Sequence, residues 1–361
     1  MARSTVAEEA ALEAAAAAAI DAPTFNETPI MLGDVAPLSV RQFFQTPNLQ
    51  PPPAPVPGQP PLPQSPAQGA NRFFAVLPWI RGFKMADNMS PRPQDRVFFS
   101  FNYFNDLNGS VNQRLGDQIR NIQVYRELFG VEKTFFDGNA SIGLRMPLDS
   151  FSAQSQVPGL GGTDTAVGNV TVFSKFIVWQ DQSTGSLVSS GLAVTMPTGP
   201  FHFASAASAP GFRDTQLQPF VGYIWSRGRF YAHGFESIDV PTLSRDVTML
   251  YNDVGIGYFL YRSPDPSAHL TAIVPTFETH VNVPLNHRGS LRIGDPAGTP
   301  DVVDLTFGTN VVFGRNAVLT FGLVTPITGP RPFDLEVSAL VNVFFGRTRA
   351  LPTATPPVAG L

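Results

Sequence analysis

Residues Phe333–Phe345 alternate with period two. Phe333, Leu335, Val337, Ala339, Val341, Val343 and Phe345 fall on one face, and Asp334, Glu336, Ser338 and Asn342, with Leu340 and Phe344, fall on the other. Successive side chains of an extended backbone point to opposite sides, so this is the pattern of a strand with two different environments. It recurs upstream. Val303, Leu305, Phe307, Val311 and Phe313 oppose Asp304, Thr306, Gly308 and Asn310, and Val97, Phe99, Phe101 and Tyr103 oppose Arg96, Ser100 and Asn102. Ile142, Leu144 and Met146 oppose Ser141, Gly143 and Arg145. Further strands are expected near 122–135, 169–180, 185–197, 215–226, 229–240, 247–261, 268–285 and 316–326, which makes twelve in all.

A soluble sandwich and a transmembrane barrel both alternate in this way. Here one face is apolar and the other is Gly, Ser, Thr and Asn with scattered charge, which suits a lipid-facing exterior around a wet lumen. A sandwich would carry Lys and Glu outside, yet the only lysines are Lys84, Lys133 and Lys175. Charged residues make up 14% of the chain, against roughly 25% in an average soluble domain. Mean hydropathy is nonetheless +0.02, and no stretch approaches the roughly 20 apolar residues of a spanning helix. Alternation explains both facts. Aromatic residues also gather at expected strand ends: Phe98, Phe99, Phe101, Tyr103 and Phe104; Phe129 and Phe135; Trp179; Tyr223 and Trp225; Tyr258, Phe259 and Tyr261; Phe344 and Phe345. Such rings prefer the headgroup level. Joins at 226–228, 314–316 and 181–185 are tight, whereas 150–168, 199–214 and 287–300 are long and rich in small residues. Short turns on one side and long loops on the other is the outer-membrane arrangement. Closure is compulsory, because lipid offers no partner to an open sheet edge.

The expected fold is therefore an all-β, antiparallel transmembrane β-barrel of about twelve strands over residues 96–346, in the outer membrane of a Gram-negative-type bacterium. Residues 1–70 hold an Ala tract and a Pro tract from Pro51 to Pro66, and are expected to be a disordered periplasmic segment and linker. The acidic start MARSTVAEEA and Glu13 within the apolar stretch match a secretory signal poorly. Residues 71–95, with Pro91 and Pro93, are expected to form a periplasmic collar or a small plug, the collar being favoured; residues 347–361 form a tail.

The stretch Gly168–Gly199 resembles a family of bacterial outer-membrane barrels, channels of the phenol-degradation meta-pathway type. Gly168, Lys175 and Phe176 match its first strand motif, and Gly191, Leu192, Val194, Pro197, Thr198 and Gly199 its second, while Asn169 stands where Asp is usual. The terminal VSALVNVFFG resembles the closing-strand signal read by the barrel-assembly machinery, with Phe345 as its aromatic residue. The resemblance implies a channel or transporter for small solutes, hydrophobic ones included.

On the strand near 268–285, Thr276, Glu278, His280 and Asn282 share one face. That face should look into the lumen, since a cation at the lipid midplane costs roughly 2–4 kcal/mol and an acid somewhat less. Either these residues form a polar constriction, or they brace a narrow barrel, with Glu278 paired to Arg126, Arg145 or Lys175. Glu132, Glu236, Asp334 and Glu336 are further lumen candidates, and the lumen should be weakly charged. A plugged barrel that anchors the outer membrane to the periplasm is the alternative function. A barrel hydrolase would need a Ser–His pair, but none of His202, His233, His269, His280 and His287 lies in a G-x-S-x-G context. No catalytic residue, metal or cofactor is expected. The absence of cysteine excludes disulfides and thiol chemistry, and 24 Lys+Arg against 28 Asp+Glu exclude a nucleic-acid partner. Lipid, the assembly machinery and small solutes are the expected partners.

A barrel of this kind should require detergent and migrate differently on a gel boiled and unboiled; identical migration of a soluble chain would overturn the assignment. Phe345→Ala should lower the outer-membrane yield, measured by quantitative blotting of outer-membrane fractions.

Overall fold

A computed structural model describes residues 29–34, 39–46, 71–78, 84–115, 119–155, 162–200, 214–244, 246–265, 267–287, 301–314, 316–329 and 331–345. Twelve strands form the barrel: β1 (Arg96–Asn105), β2 (Ile119–Phe135), β3 (Ala140–Ser155), β4 (Val170–Gln180), β5 (Leu187–Met196), β6 (Gln216–Arg227), β7 (Phe230–Pro241), β8 (Met249–Tyr258), β9 (Leu270–Pro284), β10 (Val302–Phe313), β11 (Ala317–Pro326) and β12 (Leu335–Phe344). Each pairs antiparallel with its neighbours in sequence, and β12 pairs with β1, from Leu335 opposite Asn105 to Phe344 opposite Arg96. The sheet is a closed twelve-stranded barrel, as the alternation implied.

The Leu335–Asn105 end of the β12–β1 seam lies at one mouth, and the start of β1 at Arg96 and the end of β12 at Phe344 lie together on the opposite side, that of the tight turns. That side holds Phe136–Gly138, Gly185, Gly228 and Gly314, with positive φ at each of these glycines. The opposite mouth carries the long loops and a short helix, α1 (Gly109–Leu115), between β1 and β2. By the outer-membrane rule the tight turns face the periplasm. Asp95 fastens the seam there. Its carboxylate accepts from Lys133 Nζ at 2.8 Å, Thr134 N at 2.6 Å and Thr134 Oγ1 at 2.7 Å, and its carbonyl accepts from Phe345 N at 3.0 Å. Partial burial works against its ionisation, but these donors prevail and hold the carboxyl below its usual range. The stabilisation is present at neutral pH and lost as pH falls through that lowered value.

Outward positions are apolar: Val97, Val131, Leu144, Val254, Ile256, Leu323, Val337 and Val341 are all exposed. At the periplasmic edge Phe135, Trp179, Trp225, Phe230, Tyr258, Phe313 and Phe345 make an exposed aromatic belt. Not every terminal aromatic belongs to it. Phe98, Phe104, Phe259 and Phe344 are buried on the inner side. Several inward rings stand directly opposite a glycine on the next strand: Phe98 and Gly130, Phe173 and Gly143, Phe220 and Gly191, Phe235 and Gly222, Tyr231 and Gly257. The ring lies where the missing side chain would be, and a Cβ on Gly143 would come within 2.1 Å of Phe173 Cζ. A large residue on one strand and none on its partner lets the wall bend around the lumen.

Two boundaries differ from the sequence reading. β3 extends to Ser155, well past the expected 146, because the strand Gly162–Val167 pairs with its outer half. β2 begins at Ile119, three residues before the expected start, with a register shift between Arg120 and Gln123. Residues 29–34 belong to the interior and are not part of a disordered segment, since Met31 and Leu32 are buried inside the barrel. Residues 1–28, the Pro tract and the 347–361 tail lie outside the described residues.

Gly191→Ala would place a Cβ 2.0 Å from the Ser174 carbonyl and 2.4 Å from Phe220. It should destabilise the barrel by about 1–3 kcal/mol, read as a lower temperature for the unboiled-to-boiled mobility change. Gly329→Ala, with nothing within 4 Å, should leave that temperature unchanged.

Candidate functional site

The lumen is occupied by two antiparallel legs of the N-terminal region, Pro29–Asp34 and Lys84–Asp95. Met31 N donates to Met89 O at 2.8 Å and Asn88 N to Leu32 O at 3.3 Å. Between Lys84 and Met89 the chain turns, with Asp87 N donating to Lys84 O. The legs approach so closely that a Cβ on Gly33, which has φ +85°, would lie 2.7 Å from Asp87 Cα. Only glycine meets both demands there.

The wall facing these legs carries an excess of cations on one arc and of carboxylates on the other. Arg96, Arg126, Arg145 and Lys175 come from the consecutive strands β1 to β4, and Asp253, Glu278, Asp304 and Glu336 from β8, β9, β10 and β12; all are buried. On the acidic side the Glu278 carboxylate accepts the backbone N–H groups of Leu32 at 3.0 Å and Gly33 at 3.1 Å. Two successive N–H groups aimed at one carboxylate form an anion-binding concavity. Lys84 Nζ pairs with Asp34 of the other leg and donates to Asp253 at 2.6 Å. His280 Nδ1 lies 2.8 Å from the same Asp253 oxygen, and Asn282 Nδ2 donates to Asp34 at 2.7 Å and Asp304 at 3.2 Å.

On the basic side the legs offer carbonyls. Arg145 donates to Asp87 O at 3.0 Å, Arg96 to Asn88 O at 3.0 Å, and Lys175 to Ser90 O at 2.9 Å and Arg92 O at 3.2 Å. Glu132 is the hub: Lys175 lies 2.6 Å away, Arg96 Nε donates at 3.1 Å, Ser141 Oγ at 2.8 Å and Gln94 N at 3.1 Å. Arg126 is paired with Asp149 at 2.6 Å. Buried ions with this many partners are tolerated; one left alone would not be. Apolar residues run between the charges. Met31, Met85 and Met89 pack with Phe98, Phe173, Phe220 and Phe235, and the Arg96 guanidinium sits 4.3 Å from the Phe98 ring centroid.

Eight of the ten lumen candidates from the sequence, Glu278, His280, Asn282, Arg126, Glu132, Arg145, Lys175 and Glu336, are buried inside. Glu236 and Asp334 are not. Glu236 shares the outward parity of Ile238 and Val240 and lies opposite Val221 and Asn252. Asp334 precedes the ladder; Phe333 turns inward onto Phe104, with ring centroids 5.5 Å apart, and alternation starts only at Leu335. The expected partners of Glu278 also change, because Arg126, Arg145 and Lys175 bond elsewhere and Glu278 holds backbone N–H groups. The lower part of the segment 71–95, from Lys84, is seated in the lumen, where a plug and not a collar would lie. Sequence reasoning missed Asp34, Lys84, Asp87 and Asp253 as site residues, and placed Arg96 and Asp304 on polar strand faces without singling them out. The lone lysine in FKMADNM was the available signal for Lys84. Asp34, Asp253 and His280 bring possible ligand atoms within 4.8 Å of one another, but the Lys84 ammonium bonds both carboxylates and supplies the positive charge a metal would bring.

The resembling hairpin has a structural basis. Asn169 Oδ1 accepts from Gly199 N at 2.9 Å, and Thr198 Oγ1 accepts from Val170 N at 2.8 Å, so the two motifs are clasped at the outer mouth. The contact needs one acceptor oxygen, which Asn provides as well as Asp.

No protein-family model matches the chain, and no curated protein matches it. Among solved structures it is similar to the COG4313 outer membrane channel from Pseudomonas putida F1, at 10% identity over 70% of this chain and 96% of that one, with a TM-score of 0.51. The KdgM porin aligns over 69% of this chain and 99% of its own at 9% identity, with a TM-score of 0.39. The β domain of the Bordetella autotransporter BrkA aligns over 70% and 99% at 10% identity, with a TM-score of 0.41. What the first of these shares with this chain is the fold, a closed barrel of outer-membrane type.

Glu132→Gln should destabilise the barrel by about 3–5 kcal/mol, because it leaves buried cations without their counter-charge. Glu132→Gln combined with Lys175→Gln should be less destabilised than the sum of the single changes, measured as a double-mutant cycle on thermal unfolding in detergent.

Proposed function

We propose that this protein is an outer-membrane channel whose lumen is held closed by its own N-terminal hairpin, and that solutes pass when the hairpin shifts. The observation that carries this reading is the chemistry of the seat. Between the methionine–phenylalanine contacts, hairpin and wall meet through charged and polar groups, so a wall relieved of the hairpin remains wettable. A barrel filled only to be rigid has no need of this, since an apolar filling of equal volume is as stable or more so. The resemblance of Gly168–Gly199 to channels of the meta-pathway type supports the same reading. Cations interleaved with aromatic rings and methionines suit small organic solutes that combine an apolar body with a polar or anionic group.

A permanently plugged anchor is the second reading. Its support is the burial of Arg96, Glu132, Arg145 and Lys175, each within 1% of complete.

Planar-bilayer recording separates the two. Wild-type protein should show a closed baseline with rare conductance steps. Glu278→Ala, which removes the acceptor for Leu32 and Gly33, should raise the frequency of steps at least tenfold and alter ion selectivity without loss of heat-modifiable mobility. Silence of both proteins would reject the channel and leave the anchor.

A further inference from the structure

The hairpin in the lumen does not end there. Leg Pro29–Asp34 rises from the periplasmic edge, where Ile30 packs with Phe259 and Phe344, towards the level of Asn282, near the outer end of β9. Leg Lys84–Asp95 descends from the level of Tyr251, whose ring centroid lies 5.1 Å from Lys84 Nζ, to the β12–β1 seam. Both inner ends of the legs thus point to the outer mouth. The chain between them forms a second antiparallel ladder, Ser39–Thr46 with Asn71–Pro78, in which Ser39 pairs with Pro78 and Thr46 with Asn71. Ser39 and Pro78 are the ends nearest the legs, so the ladder continues the same hairpin. Strand Asn71–Pro78 lies against α1, which belongs to the β1–β2 loop of the outer mouth. The α1 loop is itself tied to the β11–β12 loop there, through Asn108 N donating to Pro332 O at 2.6 Å.

We propose that the hairpin is threaded through the barrel and carries its far ladder, Ser39–Thr46 with Asn71–Pro78, to the outer surface of the cell, so that the Pro-rich tip, residues 47–70, is entered and left on that side. This reverses the periplasmic placement expected from the sequence. It stands on the course of the legs and the ladder, and does not depend on whether the barrel conducts. The tip itself lies outside the described residues; its side of the membrane follows from its two ends, Thr46 and Asn71. A return to the periplasm would have to cross either lipid, where unpaired backbone is excluded, or a lumen already filled. The tip carries no Asp, Glu, Lys or Arg, so nothing in its charge draws it to the charged wall.

The chain has no cysteine, so single-cysteine variants report location directly. Gln59→Cys and Ser65→Cys probe the tip. Gln113→Cys on α1 marks the outer mouth, and Gln182→Cys in the β4–β5 turn marks the periplasm. Intact cells producing each full-length variant are treated with a membrane-impermeant maleimide, with and without permeabilisation of the outer membrane, and folding is checked by heat-modifiable mobility. Both tip variants should react on intact cells to the same extent, within about twofold, as Gln113→Cys, while Gln182→Cys reacts only after permeabilisation. Tip cysteines that follow the Gln182→Cys pattern, or that stay unreactive in both conditions, would overturn the proposal.

Discussion

Everything in this structure answers to one demand, that each backbone N–H and C=O within the lipid layer has a partner inside the protein. The ladder between β12 and β1 meets it by leaving no free edge. Once the wall is closed, the inside and outside of every strand become different solvents, and the period-two pattern follows. Closure also fixes how much room is left. About eight strands leave an interior that side chains alone can fill; twelve leave more. The hairpin legs occupy that additional space, and their backbone groups bond partly to one another and partly to the wall.

That dependence explains the distribution of charge. Arg96, Arg145 and Lys175 on one arc meet carbonyls of the descending leg, and Glu278 on the other meets N–H groups of the ascending leg. The legs' own ions fit the same scheme, with Lys84 turned to Asp253 of the wall and Asp34 held by Asn282 of the wall. Wall and hairpin are complementary because each supplies what the other lacks in a water-poor interior. A buried carboxylate such as Glu132 is stable only with all its donors in place.

The barrel was legible in the sequence because lipid enforces one face of every strand. Twelve segments announce themselves by alternation, and the inward placement of Arg145, Lys175 and Glu278 follows from parity. Legibility ends where that force ends. Asp334 lies beyond the ladder, so parity did not apply to it, and Glu236 is an outward carboxylate that the rule against charge on the lipid face does not anticipate. The hairpin was hidden for a different reason. Met31, Leu32 and Gly33 show no period, because a segment surrounded by wall on all sides has no solvent-facing half. Its partners lie about 245 residues away, as in the contact of Gly33 with Glu278, a distance over which sequence pattern carries no information.

The anchorage of the ascending leg has a mechanical meaning. Leu32 and Gly33 donate sideways to one carboxylate on a strand that is itself bonded on both edges. Tension applied from the periplasm to the chain before Pro29 would load these bonds together, in shear, with no end from which to peel them. The leg would hold until both gave way and then slip in a single step. A barrel fastened in this way resists slow drift but yields to a sharp pull, as a latch does.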